Sequence, residues 1–549
     1  MGRAWRKRPE NFVDGFGVTA WQGIWPLPHG RGSNEKLGWF TGRERKGAGR
    51  WAPEPRGGRR EAGFALSQGT GAVRKNGRKV SQLEAEPRPK KVLAPGVSGR
   101  RSWRAWLAWL ALAAWFLAFA WAGLLAWFTS DDLMNLHGVA FRTPLEILSS
   151  KERPAANLVL KGLWEAFGLH PRPYRVFCFG LLLANLWLAF QFFLRWTDLW
   201  RAALFTGLFF AYHAQLQDLY FNSGALYDLL AFAFSFAALA AAAPVVVEGR
   251  PASPPRLAAV AALSALAGGS KETSVSLPVI LASALLLWRA SAGAWKAAVY
   301  SAAGCWGVLA WTTWRAPMTS NPAYQPEFTL TVLDARWKLL TASLLYRGPD
   351  WSSAAAWTVL AAALLAALLL RSRAAWLACA LILITPLPLL FLPQRSFYAF
   401  YLTYAGWCLL TGLALDRLTR IVEPRGWKLT AAILAALALL LAPQHRWLSG
   451  WIRETYYQPY EAKVVAAGNV LRRQLPPLPP GSAIYFVDDP LPPPEEEEHL
   501  LAFLCRLKAR DPQLSVWRAR NPGQSVPERE WGQFAAVFRL TRSELIRIR

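Results

Sequence analysis

From Trp103 onward, apolar residues gather into long runs separated by short polar breaks. Eleven runs stand out: Trp103 to Phe128, Tyr174 to Leu194, Leu199 to Ala214, Ala225 to Val247, Leu257 to Gly269, Ser274 to Trp288, Ala294 to Trp314, Ser353 to Leu370, Ala374 to Pro393, Phe397 to Leu415 and Trp427 to Ala442. A hydrocarbon core of about 30 Å takes roughly 20 helical residues. Backbone groups in lipid must be satisfied within the segment, so each run is expected to be a transmembrane helix. The fifth and sixth are short for spans, and the count shifts by one if they form a single broken helix. The expected fold class is an all-α polytopic membrane protein of about 11 transmembrane helices, with a small C-terminal α/β extracytoplasmic domain and a disordered basic N-terminal tail. The boundaries fall at 1–102, 103–442 and 443–549.

Positive charge is retained on the cytoplasmic side of short loops, which sets the orientation. With the N-terminus inside, the inner short loops hold Arg195, Arg201, Arg250, Arg256, Arg289, Lys296, Arg371, Arg373, Arg417, Arg420, Arg425 and Lys428. The outer short loops hold only Lys271 and Arg395. This asymmetry places the protein in the cell (inner) membrane with the N-terminus in the cytoplasm, and an odd helix count places the C-terminal domain in the periplasm or cell exterior. Two outer loops are long, Thr129 to Pro173 and Arg315 to Trp351, so the working parts are expected on that face. Within the first, Ala155 to Leu169 carries Leu158, Leu160, Leu163, Trp164 and Phe167 with Lys161 and Glu165 opposite. It reads as a helix along the interface, and a loop-packing helix has the same periodicity.

After the last run the chain turns polar. Tyr460 to Gln474 has a helical pattern and Leu475 to Gly481 is a Pro-rich linker. An apolar run at Ala483 to Val487, a helix opening with Glu495 to Glu498, and apolar runs at Leu514 to Trp517 and Phe534 to Leu540 predict strand, helix, strand, strand. The four glutamates suit the positive end of a helix dipole.

Composition agrees with this picture. Of 549 residues 53% are hydrophobic and only 18% charged, against about a quarter charged in soluble chains, which excludes an ordinary cytosolic enzyme. The net charge of +27 is not a nucleic-acid footprint, because residues 1–102 hold 22 Lys and Arg against 8 Asp and Glu, half of the excess. That stretch has no sustained period and is expected to be disordered. Either the true start codon lies downstream of Met1 or the tail is a functional arm. The five cysteines have neither metal-ligand nor redox spacing. Cys178, Cys305, Cys379 and Cys408 fall in apolar runs, where a thiol behaves as a small hydrophobe.

The leading candidates for chemistry lie in the outer breaks. Asp131 and Asp132 follow the apolar end of the first span. Solvated caps are the ordinary reading of such carboxylates, yet this pair opens a long outer loop that continues through Arg153 and Pro154. A second polar cluster contains His213, Gln215, Asp218, Asn222 and Ser223. A third is Ser270, Lys271, Glu272 and Thr273, where a lysine and a glutamate near hydrocarbon depth are costly unless paired or facing water. Arg395 with Tyr398 opens the tenth helix, where an arginine could hold a phosphate by paired hydrogen bonds or snorkel to headgroups.

These residues resemble a known family. The chain looks like a GT-C superfamily membrane glycosyltransferase, close in pattern to protein O-mannosyltransferases with tetratricopeptide tails and more distantly to lipid A aminoarabinose transferases. The resemblance rests on Asp131-Asp132, on RPAANLVLKGLWEAFGLHPRPYRVFCFGLLLANL from Arg153 to Leu186, and on His213 with NSGALYDLLAF, which includes Asp228. It continues with SKETSVSLP from Ser270 to Pro278 and QRSFYAFYLTYAG from Gln394 to Gly406. The chain departs from the pattern at Ala214, where a proline is usual, at Ala225, where a basic residue is expected, and at Gln394-Arg395, where Glu-Arg is common. No repeat of about 34 residues is visible.

The resemblance implies an inverting hexosyl- or pentosyltransferase that moves a sugar from a polyprenyl-phosphate donor to an acceptor protein, lipid or glycan on the outer face of the cytoplasmic membrane. Asp131 or Asp132 would be the general base. Arg153, His213, Asp228, Lys271, Glu272, Arg395 and Tyr398 would bind donor phosphate or substrate, with Lys271 and Arg395 neutralising the departing phosphate. Adjacent carboxylates could ligate Mg²⁺ or Mn²⁺, and related families include metal-dependent and metal-free members, so the cofactor stays open. Membrane lipid is the other partner, and no nucleic acid is implied. A transporter or flippase of lipid-linked sugars is the rival reading, but transporters often show paired repeats with midplane sites. A non-catalytic membrane scaffold leaves the aspartates without a role.

Overall fold

The computed structural model describes residues 98–150, 152–315, 325–347, 350–393, 395–423, 426–491, 500–519 and 525–549. The tail lies outside the described residues apart from 98–102, as do Glu495 to Glu498. The helical bundle and the C-terminal sheet form one compact unit.

All eleven apolar runs are helical. The elements are α1 (Ser98–Ala120), α2 (Ser130–Ala140), α3 (Pro144–Leu148), α4 (Pro154–Phe167), α5 (Pro171–Thr197), α6 (Trp200–Ala211), α7 (Leu226–Val246), α8 (Pro254–Gly268), α9 (Leu277–Trp288), α10 (Lys296–Arg315), α11 (Leu330–Leu344), α12 (Ser353–Leu370), α13 (Arg373–Ile384), α14 (Tyr401–Val422), α15 (Lys428–Ile452) and α16 (Gln458–Gln474). Among the described residues seven stretches are long and apolar enough to cross a membrane: Trp103–Leu125, Pro171–Thr197, Ser223–Val246, Ser353–Leu370, Arg373–Leu390, Phe397–Val422 and Lys428–Thr455. Trp200–Ala211 and Glu272–Trp288 are shorter apolar helices. The fifth and sixth runs are two helices, α8 and α9, parted by a bend at Gly269–Lys271 and a single 3-10 turn, Glu272–Ser276.

Packing ranks the helices. The Ser223–Val246 and Phe397–Val422 stretches are the most buried, the first against α5 and α8 and the second against α6 and α13, whereas the Lys428–Thr455 stretch lies at the periphery. Helix α8 also packs on α10. The stretch Pro154–Phe167 is a helix, as its periodicity predicts, but Ala156, Leu160 and Trp164 are buried against protein while Phe167 is exposed. Its apolar stripe therefore packs partly on α2 and α5.

Beyond Ala442 the last span continues through Pro443 to Ile452, passes a π-helical turn at Arg453–Tyr457 and enters α16. A Cβ at Gly468 would run into the Trp127 ring, so α16 lies directly on the end of the first span. The C-terminal sheet contains β1 (Ala483–Asp488), β2 (Ser515–Arg518), β3 (Ala536–Leu540) and β4 (Leu545–Arg547) in the order β2-β1-β3-β4. Strand β1 is parallel to β2 and β3, and β4 is antiparallel to β3. The helix joining β1 to β2, α17 (Leu500–Ala509), packs on α2, with the Phe503 ring 4.8 Å from that of His137.

The polar breaks near residues 126–132, 212–225, 269–276 and 391–400 meet one another: the Gly224 N–H reaches Asp132 and Lys271 reaches Asp228 at the start of α7. The turn Ala214–Leu216 touches Phe397–Phe400, and Leu387–Leu390 touches Glu272–Ser276.

Candidate functional site

The site is built around one buried ion pair. Thr129 caps α2: its Oγ1 accepts from the Asp132 N–H at 3.3 Å, and its own N–H donates to Asp132 Oδ2 at 2.9 Å. This reciprocal arrangement satisfies two orphan donors of a helix start. The carboxylate also accepts from Arg175 Nη2 at 2.9 Å and, through Oδ1, from the Gly224 N–H at 2.6 Å. Arg175 reaches further, donating to the carbonyls of Ala126 and Trp127 beyond the end of the first span. Both side chains are 1% exposed. Burial raises the Asp132 carboxyl above its ordinary value, against the pull of Arg175 and of the Thr129 and Gly224 N–H groups. The charge of Asp132 is thus committed to structure.

Asp131 is placed differently. Neighbouring residues on a helix point about 100° apart, so burying Asp132 turns Asp131 toward the turn at 222–224. There it is half-buried, with Asn222 Nδ2 3.4 Å from Oδ2. A Cβ on Gly224 would lie 2.8 Å from Asn135 Nδ2, 2.9 Å from Asn222 Oδ1 and 3.5 Å from the Asp131 Cβ, so a larger residue here would displace the two amides beside Asp131.

The same turn leads into a second network. Asp228, in the first turn of α7, takes Lys271 Nζ at 3.1 Å. Arg153 forms a fork with Glu272, Nε at 2.9 Å and Nη2 at 3.2 Å, and lies over the Tyr227 ring at 5.0 Å. The Tyr227 hydroxyl donates to Asn157 Oδ1 at 2.8 Å, and the Ala155 N–H to the Gly269 carbonyl at 2.9 Å. Arg153 itself adopts φ 43°, left-handed backbone that costs a side-chain-bearing residue about 1–2 kcal/mol. Residues 222–228 therefore join Asp131, Asp132, Asp228, Lys271, Glu272 and Arg153 into one continuous assembly.

His213, Arg395 and Tyr398 form an adjoining patch. His213 stacks on Tyr346 with ring centroids 4.3 Å apart and lies 5.3 Å from Phe397. Its Nδ1 accepts from the Gln215 N–H at 3.3 Å and its Nε2 faces the Leu344 carbonyl at 3.2 Å, which identifies the neutral Nε2–H tautomer. Burial lowers its pKa to about 3. Both ring nitrogens are engaged by protein, so its place is that of a pivot between segments. The Arg395 carbonyl accepts from Arg336 Nη1 at 3.4 Å, and Tyr398 is half-buried in the turn Phe397–Phe400. Nearby, the Tyr457 hydroxyl of the π-helical turn donates to Asp218 at 2.6 Å.

Among the described residues no group of three or more His, Cys, Asp or Glu side chains comes together to hold a metal ion. The surroundings of Asp132 are all hydrogen donors, so the aspartate pair does not fit a two-carboxylate cation site.

No protein-family model matches the chain, and no curated protein matches it. Among solved structures it is similar to ArnT from Cupriavidus metallidurans in the apo state, with 16% identity, 80% of this chain and 93% of that chain covered, and a TM-score of 0.48. It is likewise similar to ArnT from the same organism bound to undecaprenyl phosphate, with 17% identity, 78% and 93% covered, and a TM-score of 0.45.

Arg175 is the residue that sequence reasoning missed. Its signal was an arginine inside the second apolar run, where an unpaired charge is costly. Two substitutions separate the aspartates. Asp132→Asn leaves Arg175 buried without its counter-charge and is expected to destabilise the protein by about 3–5 kcal/mol. Asp131→Asn is expected to change stability by less than about 1 kcal/mol. Thermal unfolding of the purified variants in detergent checks both, and equal losses would contradict the division.

Proposed function

We propose that the chain is an inverting membrane glycosyltransferase that moves a sugar from a polyprenyl-phosphate carrier to an acceptor hydroxyl on the outer face of the cytoplasmic membrane. The observation that carries this reading is the half-buried Asp131 carboxylate, held beside Asn222 and Gly224 by a neighbouring aspartate whose own charge is spent on Arg175. A base must be both positioned and within reach of the acceptor. Asp132 is sealed inside the bundle, whereas Asp131 keeps part of its surface open at the helix start. Asp131 is therefore the proposed general base, removing the acceptor proton as the hydroxyl attacks the anomeric carbon.

In this reading residues 103–442 are the catalytic domain and 443–549 an outer domain resting on α2. A carrier too hydrophobic to leave the bilayer presents its phosphate at the interface, which is where the breaks between helices gather. Arg153–Glu272 and Lys271–Asp228 build the wall next to Asp131, and their internal pairing makes them scaffolding for polar sugar groups as much as charge for the phosphate. The acceptor, whether protein, lipid or glycan, would enter beside α2.

Membranes containing Asp131→Asn protein, assayed for sugar transfer from a polyprenyl-phosphate donor, are expected to lose about 10²- to 10⁴-fold in rate. Unchanged turnover would overturn the assignment, and translocation of sugar-lipid without transfer would favour a flippase. Orientation has its own check. All five cysteines are buried, and Met134 on α2 is 50% exposed. Met134→Cys in intact cells is therefore expected to react with a membrane-impermeant maleimide, and labelling only after lysis would place α2 in the cytoplasm.

A further inference from the structure

Arginines gather along one edge of the C-terminal domain and at the start of the span beside it. Helix α16 closes with Arg472 and Arg473, and the next residue, Gln474, accepts the Leu545 N–H through Oε1 at 2.6 Å. That bond brings the start of β4 to the end of α16, together with Arg542 in the turn before the strand and Arg547 within it. Arg472 Nη1 donates to His170 Nδ1 at 2.9 Å. His170 immediately precedes α5, whose second residue is Arg172. Three separate parts of the chain thus bring cations to the start of one span. Among the described residues none of these five arginines has a carboxylate within ion-pair distance. Glu544 is the single acid from Ala535 to Arg549, and Glu165, near the end of α4, is held by Lys161 at 2.6 Å.

Helix α5 is long and apolar enough to cross a membrane, so its first turn stands at the level of the headgroups. Exposure along it follows a stripe: Arg172, Val176, Gly180 and Ala184 are open, whereas Tyr174, Arg175 and Cys178 are buried. Residues four apart share a helix face, and Val176, 62% exposed, marks this face as the one turned to lipid. Arg172 heads that stripe, while Arg175 points the other way to Asp132. Phe167, three residues before His170, is exposed as well. Burial, and then the adjacent Arg473, lower the Arg472 pKa, so the crowded guanidinium groups lack an anion. Arginines by themselves would match any acidic partner. Arginines set beside exposed apolar side chains at the mouth of a span match the boundary between headgroups and acyl chains.

We propose that this arginine edge, Arg172, Arg472, Arg473, Arg542 and Arg547, rests on anionic lipid headgroups of the leaflet on the C-terminal domain's side and anchors the domain beside α5. The surface lies on the lipid side of α5, apart from the assembly around Asp131, and needs no transferase activity. Its mechanical consequence runs inward. Helix α16 lies on Trp127 through Gly468, and α17, which packs on α16, also packs on α2. A lipid that holds the end of α16 therefore steadies the domain over the helix that carries Asp131 and Asp132.

The experiment places full-length protein in lipid nanodiscs and reads how close the β3–β4 turn comes to the headgroups. The five native cysteines are buried, so Ser543→Cys, exposed in that turn, takes a fluorophore that headgroup-spin-labelled lipid quenches. Replacing part of the phosphatidylcholine by phosphatidylglycerol, at fixed spin-label content, is expected to raise quenching about twofold or more, because each basic residue near an anionic surface adds to the attraction. The rise is expected to vanish in about 1 M salt, where screening acts within about 3 Å, and in the Arg472→Gln/Arg473→Gln/Arg542→Gln protein. Arg250→Gln, an exposed cation on the loop after α7, is the charge control and is expected to keep it. Equal quenching in the two lipid compositions would overturn the proposal, as would a rise that survives both salt and the triple substitution. A signal that answers only to an added soluble acidic polysaccharide, with phosphatidylglycerol making no difference, would assign the edge to an acidic partner and overturn lipid docking. Should the triple variant fail to fold, the salt titration with all arginines in place decides: loss of the rise supports the contact and persistence overturns it. Sugar transfer is not read at any point, so a failure here and a failure of the transferase reading are distinguishable.

Discussion

The buried contact between Arg175 and Asp132 is the constraint on which this end of the molecule depends. Chain leaving the first span exposes carbonyls that the helix cannot satisfy, and Arg175 donates to those of Ala126 and Trp127. The same guanidinium fixes Asp132, and Asp132 in turn fixes the Gly224 N–H. One ion pair thus ties the first span, the second span and the turn before α7. Burying two charges costs several kcal/mol each, and the attraction between them offsets this only when the remaining hydrogen bonds are also made. Here Arg175 donates to two carbonyls and Asp132 accepts from two N–H groups. The result is specificity of placement more than net stability, and its consequence is the position of Asp131.

Charge pairing organises the rest. Lys271 with Asp228 and Arg153 with Glu272 bring the break after α8 against the start of α7 and the start of α4. Polar side chains at hydrocarbon depth are tolerated when they meet one another, so these pairs are the means by which an apolar bundle carries a polar rim. The C-terminal part leans on that rim from outside the spans, through Gly468 on Trp127, Phe503 beside His137 and Tyr457 on Asp218.

Much of this was legible in the sequence because lipid leaves the backbone few options. Every apolar run became a helix, and the breaks after the first, third, fifth and ninth runs held the polar clusters. The number of full spans was less legible, since α6 and α9 are short and their roles depend on what packs around them. Past Ala442 the hydropathy fell, yet the helix continued, because Pro443 is accommodated where a peripheral helix has room. Strand β4 was missed because Leu545–Arg547 has only three residues and its pattern is broken by charge. Partner choice was the least legible property. Nothing in local spacing distinguishes Asp131 from Asp132, matches Lys271 to Asp228, or sets Arg336 beside Arg395, because each pairing joins residues far apart in the chain. Arg175 was visible as an arginine in an apolar run, but its target was not.

The central claim is that Asp132 and Arg175 act as one structural unit. A double-mutant cycle measures this directly, with unfolding free energies compared for Asp132→Asn, Arg175→Met and the combined variant. The account predicts a coupling of about 1–3 kcal/mol, with the double variant more stable than the sum of the single losses implies. Strictly additive losses would show that the two side chains do not depend on each other, and the placement of Asp131 would then need another cause.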